Sequence, residues 1–482
     1  MRKSISILTA VALLGAGSIA TAQNPPSGAA IPNQGVIAND GVRVPIQKTG
    51  EMDMDRATVA DGFTFLASGD LIGPYQPILA TRDPGLEKVL DIIRKADVAF
   101  ANHEASAFDL NSFNGTHAAQ NGGGYPLFAP AITREFKEMG IDIVSLANNH
   151  AGDWGEQGLI ATLQTLSAAG LVQAGAGGSM RQARQPGIFL TPKGRVALIS
   201  TATTYNPASP AGDGNGALKP RPGISTIKTT ATNVVTEEEM RLVRQLATVR
   251  NKDAPDATKV RLGGNTFMRP NNPGVVYTDA SQFGGGVSAF VVGDAPRLTY
   301  QMNEDDRKAV IDSITLAKRT NDLVTFTIHA HETAGLADST VPADFLQTLF
   351  HQAIDAGADM VIRHGPHELN GIEIYKGKPI FYSFGSLFFG VGGPQRVFNG
   401  NVQPDEYYES AMATIEYKGG KPSVIRIYPL QSVTDRADIF SAPVIATGAL
   451  GQHILENIRK FSEPYGTDIQ IENGIGIIRL RN

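Results

Sequence analysis

From Phe63 onward the chain alternates short apolar runs with amphipathic stretches of helical length, and this alternation limits its folds more than any other feature. "FTFLA" (63–67) reads as a strand, "GLEKVLDIIRKA" (85–96) as a helix and "DVAFANHE" (97–104) as a strand running into a loop. A helix at "AITREFKEMG", a strand at "DIVSLANNH", a helix at "EQGLIATLQTLSAAG" and a strand at "RVALIST" follow. After a break the pattern resumes with "DDRKAVIDSITLAKR", "LVTFTIHAHE", "ADFLQTLFHQAIDAG", "DMVIRHGPHELNG" and "PIFYSFGS". Alternation of this kind builds an α/β domain with a largely parallel sheet core.

The remaining segments set the expected boundaries. "MRKSISILTAVALLGAGSIATAQ" has a basic start, a short apolar run and a small-residue "ATA", so residues 1–22 read as a signal peptide cut after Ala22. Residues 23–60 are rich in Pro, Gly and Asn and read as a linker. The main domain is expected over 61–430. Its insertion at 206–300 is dense in Gly and Pro around one capped helix, and reads equally as a substrate-facing lid or a surface excursion. Residues 431–482 are expected as a β-rich extension packed on the domain. With 42% apolar residues among 482 the chain can bury a large core. The 42 basic and 47 acidic residues leave a net charge of −5, which gives no footprint for nucleic acid. No stretch after the signal is long and apolar enough to span a membrane, so a periplasmic or secreted location is expected. Cysteine is absent, and any metal must be held by His, Asp, Glu or Asn.

Such ligands collect at the strand ends. Asp70 follows "FTFLASG", Glu104 follows "VAFANH", and Asn149 with His150 follow "IVSLAN". His329 and His331 follow "LVTFTI", while His364 and His367 follow "DMVI". In open α/β sheets the loops beyond the carboxyl ends of the strands converge on the ligand site. Taken singly, each residue has an ordinary reading: Asp70 as a cap, Asn149 as a left-handed turn, His329 as a satisfied core histidine. Six of the nine histidines lie in or next to strand ends, however, and jointly they point to a divalent metal site of Mn, Fe or Zn type.

The motifs "GD", "ANHE", "SLANNHAGDWG", "IHAHE" and "HGPHELNGIEIYKGKPIFYSFGS" occur in the order found in the CapA family. The sequence resembles these poly-γ-glutamate capsule synthesis proteins, members of the calcineurin-like metallophosphoesterase superfamily, over roughly 63–205 and 320–390. The resemblance implies an α/β sandwich of two central sheets flanked by helices. It makes Asp70 and Glu104 carboxylate ligands of two ions, with Glu104 as the bridge, and Asn149 a ligand of the second. His329, His364 and His367 become imidazole ligands. His150 becomes the histidine facing the scissile group, with Asp153 orienting it and Trp154 packing beneath the loop. Three positions depart from the family pattern. Arg363 replaces a usual Gly, which would put a cation beside the substrate; Gly365 stands where many members have a further His; and Ser386 replaces an Asn.

The function implied is a metal-dependent hydrolase acting on a phosphoryl or γ-glutamyl acyl centre, with an anionic polymer or a small molecule as substrate. The alternative is a non-catalytic component of capsule polymer synthesis or export with a vestigial metal site. Oligomeric state is not encoded in these patterns. The signal reading is directly testable: mass spectrometry of protein from its native compartment should find a chain beginning at Gln23, and an intact Met1 start on membrane-bound protein would overturn it.

Overall fold

The computed structural model describes residues 56–118, 124–251, 259–262, 265–268, 274–279, 287–334, 340–398 and 400–480, together with 36–37 and 43–44. The expected signal peptide and most of the expected linker lie outside the described residues.

The first half winds as β1 (Thr64–Ile72), α1 (Pro84–Lys95), β2 (Val98–His103), α2 (Pro130–Met139), β3 (Ile143–Ser145), α3 (Gly155–Ala169) and β4 (Val172–Ala174). The helices start and stop where local chemistry dictates. Asp83 accepts from the amides of Gly85 and Leu86 at 2.8 and 3.0 Å with Pro84 in the first turn, and α2 and α3 each end on a left-handed glycine, Gly140 and Gly170. A hairpin follows, β5 (Gly187–Thr191) and β6 (Gly194–Ala202). The insertion supplies β7 (Thr229–Val235), α4 (Glu237–Asn251), β8 (Val276–Asp279), β9 (Val287–Val292) and β10 (Arg297–Met302), whose strands form a separate sheet in the order β8-β9-β7-β10. The expected capping box forms. The amide of Thr236 donates to Glu239 at 2.8 Å, and the amide of Glu239 donates to the Thr236 hydroxyl at 3.3 Å.

The second half adds α5 (Glu304–Lys318), β11 (Leu323–His329), α6 (Asp344–Asp355), β12 (Met360–His364), β13 (Ile372–Tyr375), β14 (Lys378–Phe381) and β15 (Ser386–Phe389). The chain closes with β16 (Glu409–Lys418), β17 (Lys421–Ser432), α7 (Gly448–Ser462), β18 (Gln470–Glu472) and β19 (Ile475–Arg479). One large sheet runs β18-β19-β17-β16-β1-β2-β3-β4, with β15 also paired to β1. The other runs β5-β6-β11-β12-β14-β13. Within them β1 to β4 are mutually parallel, as are β6, β11, β12 and β14.

The two sheets face each other across a core of Phe65, Phe100, Leu198, Leu323, Ile362 and their neighbours. Helices α1 to α3 cover the outer face of the first sheet, and α5 and α6 cover that of the second. The fold is the expected metallophosphoesterase-like sandwich. One boundary differs. The segment 431–482, expected as an extension, instead completes the first sheet: residue 430 falls inside β17, and β19 pairs with β17 along Val424–Ile427. Its apolar side chains Ile454, Leu455, Ile458, Ile469 and Ile478 belong to the core between the sheets. Hairpin-like sequence reveals pairing within the hairpin, not the sheet it joins.

A bulge in β1 aims Asp70, the first of the expected ligands. Phe65 and Ala67 face the second sheet, while Leu66 faces the helices. Strict alternation would turn Asp70 outward with Leu66. The pairing with β2 shifts between Ala67 and Asp70, however, and the extra residue turns Asp70 to the rim between the sheets. Gly69 permits this because a Cβ there would lie 1.7 Å from the Gly385 carbonyl oxygen. Gly69→Ala should therefore destabilise the chain by about 1–3 kcal/mol or more, the usual cost of overpacking; a thermal melt unchanged from wild type would contradict this packing.

Candidate metal centre

The parallel register places the carboxyl ends of β1, β2, β11 and β12 on one rim. His329 and His364 are register partners, as are Asp70 and Asn102. Inward-facing positions then recur every second residue. Leu323 faces the other sheet, and two-residue steps along β11 bring His329 to the same side; on β12 Met360 and Ile362 lead likewise to His364.

Six side chains meet there. The ligand atoms of Asp70, His329 and His364 lie within 4.8 Å of one another, and those of Glu104, His331 and His367 form a second such group. The groups touch: Glu104 Oε1 is 3.6 Å from His329 Nε2 and 3.8 Å from His367 Nε2. His329 Nδ1 is 3.0 Å from His364 Nδ1, and its Nε2 is 2.9 Å from His331 Nε2. His367 Nδ1 lies 3.1 Å from Asp70 Oδ2. His367 reaches this position with a backbone φ of 60°, uncommon for a residue with a side chain. At Gly365, φ is 116° and a Cβ would sit 2.9 Å from the His331 ring and 3.1 Å from the His329 ring. The crowding of imidazoles leaves no room for a side chain at 365.

Electrostatics favours metal ligation. Burial, then the neighbouring imidazoles His331, His364 and His367, hold His329 well below the ordinary histidine range. Burial likewise lowers His331 to about 3 and His364 to about 4. These rings are therefore neutral near pH 7, the form that offers a lone pair. Burial opposes ionisation of Asp70, but hydrogen bonding and charge from His367 prevail and bring it to about 2. Burial and then the Asp70 charge push Glu104 well above the usual carboxylate range. Asn102 Nδ2 donates to both acids, to Asp70 Oδ1 at 2.8 Å and Glu104 Oε2 at 3.1 Å. Glu104 Oε1 and Asn149 Oδ1 remain buried acceptors with no hydrogen-bond partner. Buried polar atoms are normally satisfied, and two bare acceptors beside neutral imidazoles fit divalent cations.

Among the other expected residues, His150 Nδ1 lies 2.6 Å from Asp153 Oδ2, and Asn149 and His150 line a cleft with His331 and His367. Trp154 packs edge-on against Phe108 and Phe113. Arg363 is the exception. It precedes His364 on β12, so alternation turns it away from the ligand rim. It is fully buried, and its guanidinium donates to the carbonyls of Ala330, Glu332 and Tyr382 and to Asn370 Oδ1. The expectation that it holds substrate does not fit this geometry. Asn102 is the residue of the cluster that sequence reasoning misses, and His331, named among the strand-end histidines, receives no role there. Asn102 lies two positions before Glu104 and His331 two positions after His329, the two-residue strand period. None of the cleft's described lining residues comes from 206–300.

The fold is of the metallophosphoesterase type, and its rim gathers candidate metal ligands. The chain belongs to the family described as bacterial capsule synthesis protein PGA_cap, whose model matches residues 64–391. It is 33% identical over 471 residues to the uncharacterized protein y4sH of Sinorhizobium fredii, covering 90% of this chain and 97% of the relative. A Mycobacterium tuberculosis protein named "Probable polyglutamine synthesis accessory protein" is 25% identical over 56% of this chain and 50% of its own length. The PGA biosynthesis protein CapA of Bacillus subtilis is 37% identical over 87 residues, which is 18% of this chain and 22% of the relative.

Three substitutions separate ligation from packing. Asp70→Ala and His331→Ala should each lower bound metal, measured by elemental analysis of purified protein. Arg363→Met should keep the metal but lower the melting temperature, because it strands buried carbonyls at about 1–3 kcal/mol each. Full metal retention in Asp70→Ala would dismiss the centre.

Proposed function

We propose that the chain is a metal-dependent hydrolase of envelope polymer metabolism, working in the periplasm or outside the cell on a phosphoryl or γ-glutamyl acyl centre. One observation carries this reading: two ligand triads share a rim that also holds the unpartnered acceptors Glu104 Oε1 and Asn149 Oδ1. Asp70, His329 and His364 would hold one ion. Glu104, His331, His367 and Asn149 would hold a second, with Glu104 in contact with both groups. When bound, divalent ions of Mn, Fe or Zn type supply an acidified water and neutralise charge at the attacked centre.

The remaining work falls to His150 and Asp153. The short contact between His150 Nδ1 and Asp153 orients the ring and leaves Nε2 as its other proton-carrying atom. With Nδ1 donating to Asp153, a proton on Nε2 makes His150 an imidazolium, and the carboxylate offsets that charge. His150 can then stabilise a developing oxyanion or protonate a leaving group. Burial of Asp153 acts against its ionisation, while the hydrogen bond from His150 favours it. The pair therefore functions as a unit.

The test uses metal-loaded protein and three substrate types: a phosphomonoester, a phosphodiester and a γ-glutamyl amide. At least one should turn over, and His150→Ala should keep its metal yet lose on the order of 10²–10⁴ in rate. No turnover of any of the three would favour the non-catalytic role in polymer synthesis or export. Loss of metal in His150→Ala as complete as in Asp70→Ala would refute its assignment to substrate.

A further inference from the structure

The cleft leading to the rim has a composition that the family name does not lead one to expect. It holds about 520 Å³ and reaches Asn149, His150, His331 and His367 at its floor. That is ample for a ring-sized group. Its walls carry Tyr75, Tyr125, Phe389, Phe398 and Tyr407, and none of its described lining residues is Lys, Arg, Asp or Glu. Residues 119–123, which precede this wall in the chain, read AQNGG and are uncharged in sequence. Arg363 is committed inside the protein, as shown above. Arg396 is also engaged elsewhere: its guanidinium lies 4.2 Å from the Tyr408 ring centroid and pairs with Asp405 at 2.6 Å.

A chain of γ-linked glutamates carries one carboxylate per residue, and binding it next to the scissile bond calls for cations there. The cleft offers rings instead, in two clusters. On one side Phe389 and Tyr407 lie 5.5 Å apart and flank His367 at 5.7 and 6.2 Å. On the other, Tyr125 packs on His117 at 4.6 Å and against Trp154 at 6.0 Å. Tyr75 remains 46% exposed, so ring surface is open to a ligand.

Taking the site as the hydrolytic centre proposed above, we propose that its substrate places an uncharged ring, sugar or aryl, between these walls beside the bond that is cut, rather than a polyanionic chain. Rings of both kinds offer an apolar face that stacks on Tyr and Phe, while the tyrosyl hydroxyls and Gln403 meet polar edges.

Binding tests this without turnover, because Trp154, the sole tryptophan, lies against Tyr125 and reports occupancy by its fluorescence. The probes for metal-loaded full chain are methylphosphonate, phenylphosphonate, a pyranosyl methylphosphonate and tri-γ-glutamate. One of the two ring-bearing probes should bind at least about tenfold more tightly than methylphosphonate, and the tighter of them identifies the ring type. Tyr407→Ala and Phe398→Ala should remove most of that preference at unchanged metal content and melting temperature. Equal binding of all three phosphonates, or tri-γ-glutamate binding as tightly as the better ring probe, would overturn the inference. Ring preference without turnover of phenyl phosphate or any other ester or amide would remove the hydrolase reading alone. Turnover of tri-γ-glutamate unaffected by Tyr407→Ala would remove this inference alone.

Discussion

Asp70 and Glu104 are both fully buried and share a single amide, Asn102 Nδ2. Two adjacent carboxylates withdrawn from water repel each other and forgo solvation, a cost of several kcal/mol per charge unless opposite charge or hydrogen bonds offset it. The surrounding architecture supplies that offset. A bulge turns Asp70 inward, the left-handed backbone of His367 brings its ring to Asp70, and Asn102 holds the two acids together. Four imidazoles complete the surround, and burial holds His329, His331 and His364 in the neutral form. Among the described residues neither acid hydrogen-bonds or ion-pairs with a Lys or Arg, so the compensation fits ions rather than a side-chain cation. Residues held in unfavoured conformations persist where the surroundings over-determine them, and functional sites are where they gather.

The same crowding gives a physical reason for glycine at 365, where the CapA pattern leads one to expect a further His. At Gly365 the rings of His329 and His331 occupy the volume a side chain would need. His331 is one of the rings that closes that space, and it faces Glu104 and His367. His331, from the loop after β11, is one of the four imidazoles at the rim. Ser386, the third departure, lies opposite Asp70 in register, and its hydroxyl is 3.3 Å from His367 Nδ1. It takes part in orienting His367 rather than standing apart from the site.

The fold and most of the rim were legible in sequence because both depend on short-range periodicity. Apolar runs of strand length and polar residues just after them are local signals, and parallel strands bring such ends together whatever the detailed register. What was not legible depended on partners distant in sequence. The direction of Arg363 follows from which face of β12 meets the other sheet, and its carbonyl partners come from β11's loop and β14's end. The membership of 431–482 in the first sheet depends on β19 meeting β17, a pairing that hairpin sequence does not specify. Asn102 looked like part of a motif's spacing, and only the approach of β1 to β2 reveals it as the clamp between two acids.

Rim and cleft differ in how they are built, and this bears on what members of the family can share. The ligands sit on strand ends or the first residues beyond them, fixed by two sheets and their core. Apart from Ile72 and Phe389 at the ends of β1 and β15, the cleft walls come mainly from segments between the main strands and helices: Tyr75 after β1, Tyr125 before α2, and Val391, Phe398, Gln403 and Tyr407 between β15 and β16. Segments of that kind can change side chains without disturbing the sheets. The family match ends at residue 391, so Phe398, Gln403 and Tyr407 lie beyond it. A common centre therefore carries a common chemistry more securely than a common substrate. In this chain Phe398, Gln403 and Tyr407 add to the cleft from the part that the family model does not describe, while Tyr75, Tyr125 and Phe389 come from the part it covers.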